Sequence, residues 1–336
     1  MAEKVTLAQG SGGQDTHDLV RGLFVESFGG ATLRAMEDSA LLAIGNVRLT
    51  FSTDSFVVDP IFFPGGDIGS LAVHGTVNDL AMRGARPLYL SLGLILEEGF
   101  PLADLRRIVK SIKTAADQSG VEIVAGDTKV VPAGKADRIF INTAGLGILE
   151  ADVDIAAGNG RPGDKIILSG TMADHGATII CQQEGLQIHG EFKSDSAPLH
   201  RMVAAMLAAA GRGVHVLRDP TRGGVGTTLN ELAAASGVGI RIVEADLPVR
   251  EDVRGACELL GLDPLYLANE GKLLALVAPE QADIVLAAIR QDPLGSRACI
   301  IGEAVADHPG QVVLETAVGG RRLVDMLHGE ALPRIC

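Results

Sequence analysis

Strand-like and helix-like segments alternate along both halves of this 336-residue chain, and this alternation most restricts how it can fold. In the first half, a nearly all-apolar segment at 87–96 precedes an amphipathic helical pattern at 101–119. Another apolar, strand-like segment then begins at Val121. Strands separated by amphipathic helices are typical of α/β or α+β domains, in which helices pack on sheets. The second half repeats the alternation, which predicts a second domain of the same class.

A turn-rich segment near the midpoint separates the two halves. Residues 158–163 read Gly-Asn-Gly-Arg-Pro-Gly, a composition that interrupts both helices and strands. The length of the chain also favours two domains. We therefore expect an N-terminal domain over 1–155, a C-terminal α/β domain over 160–325, and a flexible tail over 326–336 that ends at Cys336.

Turn and capping residues predict several element boundaries. Gly45-Asn46 lies between two apolar segments, as in a β-hairpin. Asp67 is suited to the N-cap of a helix that continues to Gly84, and Gly120 to the end of the helix at 101–119. A short strand is expected at 265–268, and the segment Asn269-Glu270-Gly271-Lys272 after it is, by its spacing, an ordinary hairpin turn.

Composition argues against several classes of function. The formal net charge of −13 disfavours a nucleic acid or an anionic membrane as partner. No apolar run is long enough to span a membrane, and the start of the chain lacks the apolar segment of a signal peptide. The cysteines have no disulfide or zinc spacing, and the histidines show no zinc-enzyme pairing. A reduced, cytoplasmic protein is the simplest expectation.

Four aspartates of the first half lie at the ends of predicted strands or in a helix beside them: Asp38, Asp54, Asp79 and Asp127. Ligands of α/β sheets bind at the carboxyl ends of strands, and converging carboxylates repel each other unless a cation lies between them. Mg²⁺ suits such a set because it takes oxygen ligands and binds together with phosphates. Alternatively, each aspartate is an ordinary capping or turn residue.

Two glycine-containing segments are candidates for binding phosphate. Residues 10–13 (Gly-Ser-Gly-Gly) are either a phosphate cradle or a flexible arm, and they lack the lysine and spacing of a P-loop. The segment from Asp219 to Gly224 joins a strand to a helix, where backbone N–H groups favour an anion. The Arg222 guanidinium adds positive charge and several N–H donors to such an anion site. An ordinary capped helix start with a solvated arginine explains the segment equally well.

The chain ends on Cys336. Termini are poorly ordered unless they are docked, and Pro333 disfavours helix in the residue before it, so the tail should leave the body extended. By itself, a terminal cysteine is more simply explained as having no function.

Taken in order, these motifs resemble the HypE family of hydrogenase maturation proteins over essentially the whole chain. Each motif is weak alone, but their order together with the cysteine-terminated tail is specific. Gln9 stands where that family is expected to have a histidine. The matching segments are residues 10–13, 51–55, 62–66, 78–79, 126–131, 140–145, 174–178, 221–225, 268–272 and 333–336.

The resemblance implies a two-domain fold like that of aminoimidazole ribonucleotide synthetase, with mixed sheets and helices packed on them. It also implies a homodimer formed through the first domains, with ATP and Mg²⁺ bound near the interface. A HypF-type carbamoyltransferase would place a carbamoyl group on Cys336. The enzyme would then use ATP to dehydrate this group to a thiocyanate, and a HypC–HypD-type iron scaffold complex would accept the cyanide for the [NiFe]-hydrogenase centre.

The resemblance also implies roles for individual residues. Cys336 would carry the reacting group, Glu270 would be the general base, and Lys129 would orient the group or stabilise its developing charge. The Mg²⁺ ligands would be Asp38, Asp54, Asp79 and Asp127. The expected nucleotide-binding residues are Gly10, Ser11, Gly12, Gly13, Asp54, Asn78, Asp79, Gly126, Asp127, Thr128, Asp219 and Arg222.

Two other functions stay open at this point. An ATP-dependent kinase or synthetase of the same superfamily that acts on a small molecule would explain the aspartates and glycines, but not the tail. A non-enzymatic assembly scaffold would use the tail as a thiol arm. The state of Cys336 separates these functions, because only the dehydratase converts a carbamoyl adduct there in an ATP-dependent step.

Overall fold

The computed structural model describes residues 4–150, 152–186, 193–329 and 334–336, so the interpretation of Pro333 lies outside the described residues. The first half contains a π-helical segment at Val20–Val25 and these elements: α1 (Gly13–Leu19), α2 (Glu26–Phe28), α3 (Ala31–Arg34), β1 (Ala40–Ile44), β2 (Val47–Phe56), β3 (Phe62–Phe63), β4 (Gly66–Asp67), α4 (Ile68–Met82), β5 (Arg86–Glu97), α5 (Leu102–Ser119), β6 (Glu122–Val131) and β7 (Ile139–Leu149).

The second half continues the alternation of strands and helices. Its elements are β8 (Lys165–Leu168), α6 (Asp174–Gln183), α7 (His200–Ala210), β9 (Val214–Arg218), α8 (Gly224–Ser236), β10 (Gly239–Val243), α9 (Glu251–Leu260), β11 (Leu274–Val277), α10 (Ala282–Gln291), β12 (Cys299–Val305), β13 (Val312–Glu315) and β14 (Arg321–Val324). The predicted class, α+β with mixed sheets and helices packed on them, is confirmed.

A five-stranded sheet in the order β1-β2-β7-β5-β6 organises the first half. The expected hairpin is formed by β1 and β2, which pair antiparallel on either side of Gly45-Asn46. Helix α4 begins as predicted, because the Asp67 carboxylate accepts the Gly69 and Ser70 N–H groups at 2.9 and 3.0 Å. It packs closely on β7 at Gly145, where a Cβ would lie 2.8 Å from Thr76.

The second half contains a seven-stranded mixed sheet in the order β14-β13-β10-β12-β8-β11-β9. The expected strand at 265–268 is wrong. Residues Pro264–Tyr266 form a 3-10 turn instead, because the Asp263 carboxylate caps Leu265 N–H. Helix α8 packs against this turn, and a Cβ at Gly224 would lie 2.5 Å from the Leu265 carbonyl oxygen. Glu270 therefore does not lie in a simple hairpin turn.

The last three residues are docked in the body of the protein, so the prediction that the tail leaves the body extended is wrong for 334–336. Val57 N–H donates to the Cys336 carbonyl at 2.9 Å, and Asp59 N–H donates to the Arg334 carbonyl at 3.1 Å. Ile335 and Cys336 are buried in a hydrophobic cluster that contains residues of both halves. The apolar Ile335 side chain stabilises this position because burial removes it from water.

Among the described residues, no helix is long and apolar enough to cross a membrane.

Candidate active site

Two adjoining pockets lie where the two halves meet. The first, here called the tail pocket, has a volume of about 240 Å³ and contains Cys336. The second, here called the glycine-loop pocket, has a volume of about 210 Å³ and is lined by Gly12, Gly13 and Thr16. The two pockets share a wall, which consists of Asp38, Arg218, Asp219, Thr221 and Arg222. The two pockets are therefore direct neighbours.

The tail pocket is built from the first half on one side and the second half on the other. Strand β2 contributes Asp54, and helix α4 contributes Asp79. Helix α4 approaches β2 closely because residue 75 is a glycine, at which a Cβ would lie 2.9 Å from the Phe56 ring. The connection between β9 and α8 contributes Asp219 and Arg222.

Carboxylates crowd the tail pocket, and their pKa values are shifted upwards. Burial raises the pKa of Asp79 well above its usual value, and the charges of Asp219 and Asp54 raise it further. Burial likewise raises the pKa of Asp219 to about 6, although Arg218 opposes the shift. The pKa of Asp54 is also raised by burial, against the opposing charge of Arg222. These carboxylates therefore repel one another in the absence of a cation.

Asp38 lines the shared wall, but its carboxylate is already engaged. Its Oδ1 lies 2.8 Å from Nε of Arg218, and both side chains are largely buried. Arg218 also pairs with Glu231 at 3.2 Å. Within this chain, Asp38 therefore balances a buried arginine, and its role as a Mg²⁺ ligand stays a prediction.

Gly126, Asp127, Thr128 and Lys129 are not part of the tail pocket. They lie within β6, which continues past the expected end because it pairs with β5 along its length, with Asp127 opposite Gly93. The Lys129 ammonium donates to Asp127 Oδ1 at 2.6 Å, and both side chains are well exposed. This pairing lowers the pKa of Asp127. The expected Mg²⁺ set of four aspartates is thus not assembled within one chain.

Asn78 connects helix α4 to two loops through hydrogen bonds, and it does not line the tail pocket. Its amide nitrogen donates to the backbone carbonyls of Ala197 and Glu270 at 3.1 and 3.3 Å. Its amide oxygen accepts the Leu199 N–H at 2.8 Å. Because these contacts tie α4 to the loop that carries Glu270, Asn78 is a structural residue in this chain, contrary to the expected direct contact with nucleotide.

Glu270 lies in the tail pocket, on the loop before β11. Burial raises the pKa of this carboxyl well above its usual value, and the charges of Asp54 and Asp219 add to the shift. Its Oε1 atom is buried and has no hydrogen-bond partner among the described residues. A neighbouring buried ion pair, in which Lys272 Nζ lies 3.0 Å from Asp195 Oδ2, holds the loop. Glu270 therefore lines the pocket and has one carboxyl oxygen without a hydrogen-bond partner among the described residues.

Burial raises the pKa of the Cys336 thiol to about 12, although the nearby Arg222 guanidinium opposes the shift. The docked thiol is therefore protonated at neutral pH and is a poor nucleophile. The docked position suits a sulfur that already carries an acyl-type group better than one that must attack a donor.

Arg222 lies between the tail and the glycine loop. Its Nη1 donates to the Gly10 carbonyl at 3.2 Å. A Cβ at Gly12, where φ is +82°, would lie 2.8 Å from Arg222 Cβ, so only glycine allows this close approach. The guanidinium is consequently positioned to bind an anion at the shared wall.

The acidic side chains of the tail pocket offer oxygen donors, which Mg²⁺ prefers. However, no group of three or more His, Cys, Asp or Glu side chains is close enough to hold a metal ion in the described parts of the chain. Mg²⁺ usually binds through one or two carboxylates together with substrate phosphates and water. Asp54, Asp79 and Asp219 therefore fit a Mg²⁺ ion that is shared with a nucleotide, and not an all-protein cage.

Arg218 and His175 are among the residues of this region that have no role in the sequence prediction. Arg218 partners Asp38, and its position next to Asp219 was the available signal. His175, at the start of α6, contacts the docked tail: its Nε2 lies 2.7 Å from the Ile335 carbonyl oxygen. The segment 174–178 matched the family pattern, but nothing in the sequence connects it to a residue 160 positions away.

Comparison with known proteins gives the family. The N-terminal domain family of AIR synthase related proteins matches residues 36–149, and the C-terminal domain family matches residues 161–315. A carbamoyl dehydratase HypE from Azotobacter vinelandii is 54% identical over 332 residues, which cover 99% of this chain and 97% of that protein.

Two solved structures of HypE proteins match this chain in fold and over most of its length. A crystal structure of a HypE–HypF complex matches with a TM-score of 0.88 and 47% identity, covering 92% of this chain and 99% of the other. A crystal structure of hydrogenase maturation protein HypE in complex with ATP matches with a TM-score of 0.84 and 51% identity, covering 99% and 100%. With this identity over nearly the whole length, the chain belongs to the HypE family of carbamoyl dehydratases.

Proposed function

We propose that this protein catalyses the ATP-dependent dehydration of an S-carbamoyl group on its own Cys336 to a thiocyanate, which supplies cyanide for [NiFe]-hydrogenase maturation. The observation that carries the proposal is the position of Cys336. It lies in a pocket of acidic side chains that shares a wall with the glycine-loop pocket. A relative of known structure binds ATP, and we place the nucleotide phosphates at this shared wall.

The reaction needs a better leaving group than amide oxygen. The carbamoyl oxygen attacks the γ-phosphorus of ATP and ADP leaves. The C–O bond then breaks, phosphate departs with its electron pair, and the nitrogen loses two protons as the C≡N bond forms. In sum, S–C(=O)–NH₂ and ATP give S–C≡N, ADP and phosphate. Phosphoryl transfer depends on positioning and on neutralisation of charge, and Arg222 provides both at the shared wall.

Glu270 is proposed as the general base that removes the nitrogen protons. Its Oε1 is buried without a hydrogen-bond partner among the described residues, and the residue lines the pocket that contains Cys336. Because its pKa is raised, the ionised form accepts a proton more readily than an exposed glutamate does. The charge of Arg222 lowers this pKa and so favours the ionised form.

Asp54, Asp79 and Asp219 are proposed to hold Mg²⁺ together with the nucleotide. When bound, the ion supplies positive charge to the phosphates and relieves the repulsion that raises the pKa values of these carboxyls. Gly10, Ser11, Gly12 and Gly13 would enclose the nucleotide from the other side. The docked tail excludes water, since Cys336 is only 8% exposed, and this protects a phosphorylated intermediate from hydrolysis.

The tail must exchange groups with other proteins, so we propose that it also leaves the pocket. A HypE of known structure forms a complex with HypF, and a HypF-type carbamoyltransferase is the proposed donor for this chain. A HypC–HypD-type iron scaffold complex is the proposed acceptor of cyanide, and the cytoplasm is the proposed location. Neither a small-molecule kinase nor a passive scaffold explains why the chain's own thiol lies among the acidic side chains.

A homodimer through the open face of the five-stranded sheet is also proposed. Phe51, Leu146 and Tyr89 are adjacent on β2, β7 and β5, and all three are substantially exposed. Ile95, on the same face of β5 as Tyr89, is exposed as well. A contiguous exposed apolar face of this kind is typical of an interface. Gly126, Asp127, Thr128 and Lys129 keep their proposed roles only if β6 lies beside the pocket of a second copy.

A mass measurement tests the dehydration directly. After incubation with the carbamoyl donor enzyme, the full chain should carry one carbamoyl group on Cys336, and it should lose one water only when ATP and Mg²⁺ are added. Intact-mass and peptide mass spectrometry measure both steps. A Cys336→Ser chain is the matched control and should show neither shift. Water loss without ATP, or unchanged product from a free small substrate in a chain lacking Cys336, would contradict the proposal.

Removing the Asp79 carboxylate should stabilise the nucleotide-free protein and at the same time weaken its binding of ATP and Mg²⁺. In Asp79→Asn, the loss of like-charge repulsion should raise the melting temperature of the nucleotide-free protein by roughly 1–3 °C at pH 7.5. The additional stabilisation by ATP and Mg²⁺ should be largely lost. Differential scanning fluorimetry measures both, with Glu280→Gln as a control that removes an equal charge at an exposed site.

The same comparison has a defined pH dependence. The pKa of Asp79 is raised in the folded state, so the repulsion by its ionised form is greatest at pH values above this pKa and disappears as the pH falls through it. The stability difference between Asp79→Asn and wild type should therefore shrink as the pH falls. A difference that grows toward acid pH would show that the Asp79 carboxylate stabilises the nucleotide-free fold.

The dimer proposal is tested at Leu146, in the middle of the open sheet face. Leu146→Asp places a charge where the second copy would pack, so it should convert a dimer into a monomer in sedimentation velocity at micromolar concentration. Leu259→Asp is the control, because Leu259 is 69% exposed on α9, away from this sheet. The proposal fails if wild type is monomeric, or if both variants have the same oligomeric state.

A further inference from the structure

We infer that His175 is a positioning residue, whose Nε2–H holds the Ile335 carbonyl and thereby aims Cys336 into the tail pocket. The inference rests on the proposed function, in which the tail is the tethered substrate. His175 is fully buried, and its Nε2 lies 2.7 Å from the Ile335 carbonyl oxygen.

The hydrogen bonds around the ring determine its tautomer. A carbonyl oxygen only accepts, so His175 Nε2 must carry the hydrogen. Nδ1 lies 2.8 Å from Ser194 Oγ and accepts its hydroxyl hydrogen. Ser194 Oγ in turn accepts the Ser196 N–H at 3.1 Å, which leaves its hydroxyl hydrogen for the ring. Burial lowers the pKa of His175, in agreement with a neutral ring.

The ring is held by the body of the protein and not by the tail. The Phe63 ring packs edge-on against it, with centroids 5.7 Å apart and an interplanar angle of 86°. The next residue, Gly176, allows α6 to lie against the loop before β11, since a Cβ there would be 2.8 Å from Ala268 N. The donor is therefore in place before the tail arrives, which reduces the ordering needed on docking.

The docked tail is held by hydrogen bonds from two separate parts of the protein. The main-chain oxygens of Arg334 and Cys336 accept the N–H groups of Asp59 and Val57, and the carbonyl of Ile335, between them, lies against His175. The His175 hydrogen bond engages the carbonyl directly before Cys336. It therefore restrains the orientation of the Ile335–Cys336 peptide plane and of the Cys336 side chain that follows it.

Loss of this donor should reduce both tail docking and reaction rate. A buried carbonyl without a partner shifts an equilibrium by roughly tenfold to a hundredfold. The undocked Cys336 thiol should react faster with iodoacetamide, because its pKa is no longer raised by burial. The carbamoyl group should be dehydrated more slowly in a single turnover, since it lies in the pocket for less time.

Three substitutions at His175 separate hydrogen bonding from packing. His175→Gln retains an N–H near the Nε2 position, His175→Asn retains a polar group only near Nδ1, and His175→Phe retains only the ring volume. The full chain with carbamoylated Cys336 is mixed with saturating ATP and Mg²⁺, and water loss is followed by intact mass. Alkylation of unmodified Cys336 is followed in peptide digests, with the partly buried Cys299 as internal reference.

We expect at least tenfold slower water loss and correspondingly faster Cys336 alkylation in the Asn and Phe variants, with most of both effects reversed in Gln. ATP affinity, measured by calorimetry, and Cys299 alkylation should not change. An equal decrease in the rate of water loss in all three variants would overturn the inference. So would an unchanged rate of Cys336 alkylation in the Asn and Phe variants. If the His175 variants fail to fold, Ser194→Ala is tested instead, because it removes the hydroxyl that fixes the tautomer of His175. It should give smaller changes in water loss and Cys336 alkylation, in the same directions. No change in either rate would overturn the inference.

The two proposals fail in different ways. If wild type never loses water in the presence of ATP, the proposed function fails, while the alkylation series still reports whether His175 holds the tail. If wild type reacts and the alkylation series shows no effect of His175, only the inference about His175 fails.

Discussion

Mutual repulsion among buried carboxylates is the constraint on which the rest of this structure depends. Asp54, Asp79 and Asp219 have raised pKa values because they are removed from water and lie near one another. Such a cluster costs stability, and the fold balances only part of it with Arg218 and Arg222. In the proposed function, a cation that binds together with the nucleotide neutralises the remaining negative charge.

The docked tail completes this arrangement by placing a neutral, reacting group beside the charges. Cys336 has a raised pKa when docked, so an unmodified thiol there is inert. In the proposed function, the same burial that suppresses the thiol would protect a phosphorylated carbamoyl group from water. The tail would then be loaded outside the pocket and dehydrated inside it. Hydrogen bonds from Val57, Asp59 and His175 hold the docked state.

Local signals in the sequence were sufficient for many elements and for part of the site. The hairpin at Gly45-Asn46 and the cap at Asp67 depend on neighbouring residues, so both could be predicted. The position of Asp127 could not be predicted, because the end of a strand depends on its pairing partner. Pairing with β5 continues β6 beyond this residue. The contact of His175 with Ile335 joins positions far apart in the chain, and no local pattern encodes it. Resemblance to a family identified the terminal cysteine but not its docked position.

The central claim is that ATP phosphorylates the carbamoyl oxygen on a docked Cys336. It is tested most directly by loading the full chain with carbamoyl labelled with ¹⁸O at the carbonyl and allowing one turnover with ATP and Mg²⁺. Mass spectrometry of the released phosphate then locates the label. The account predicts one ¹⁸O atom in inorganic phosphate for each thiocyanate formed. Label found in water, with unlabelled phosphate, would contradict it, because the oxygen would then have left without being phosphorylated.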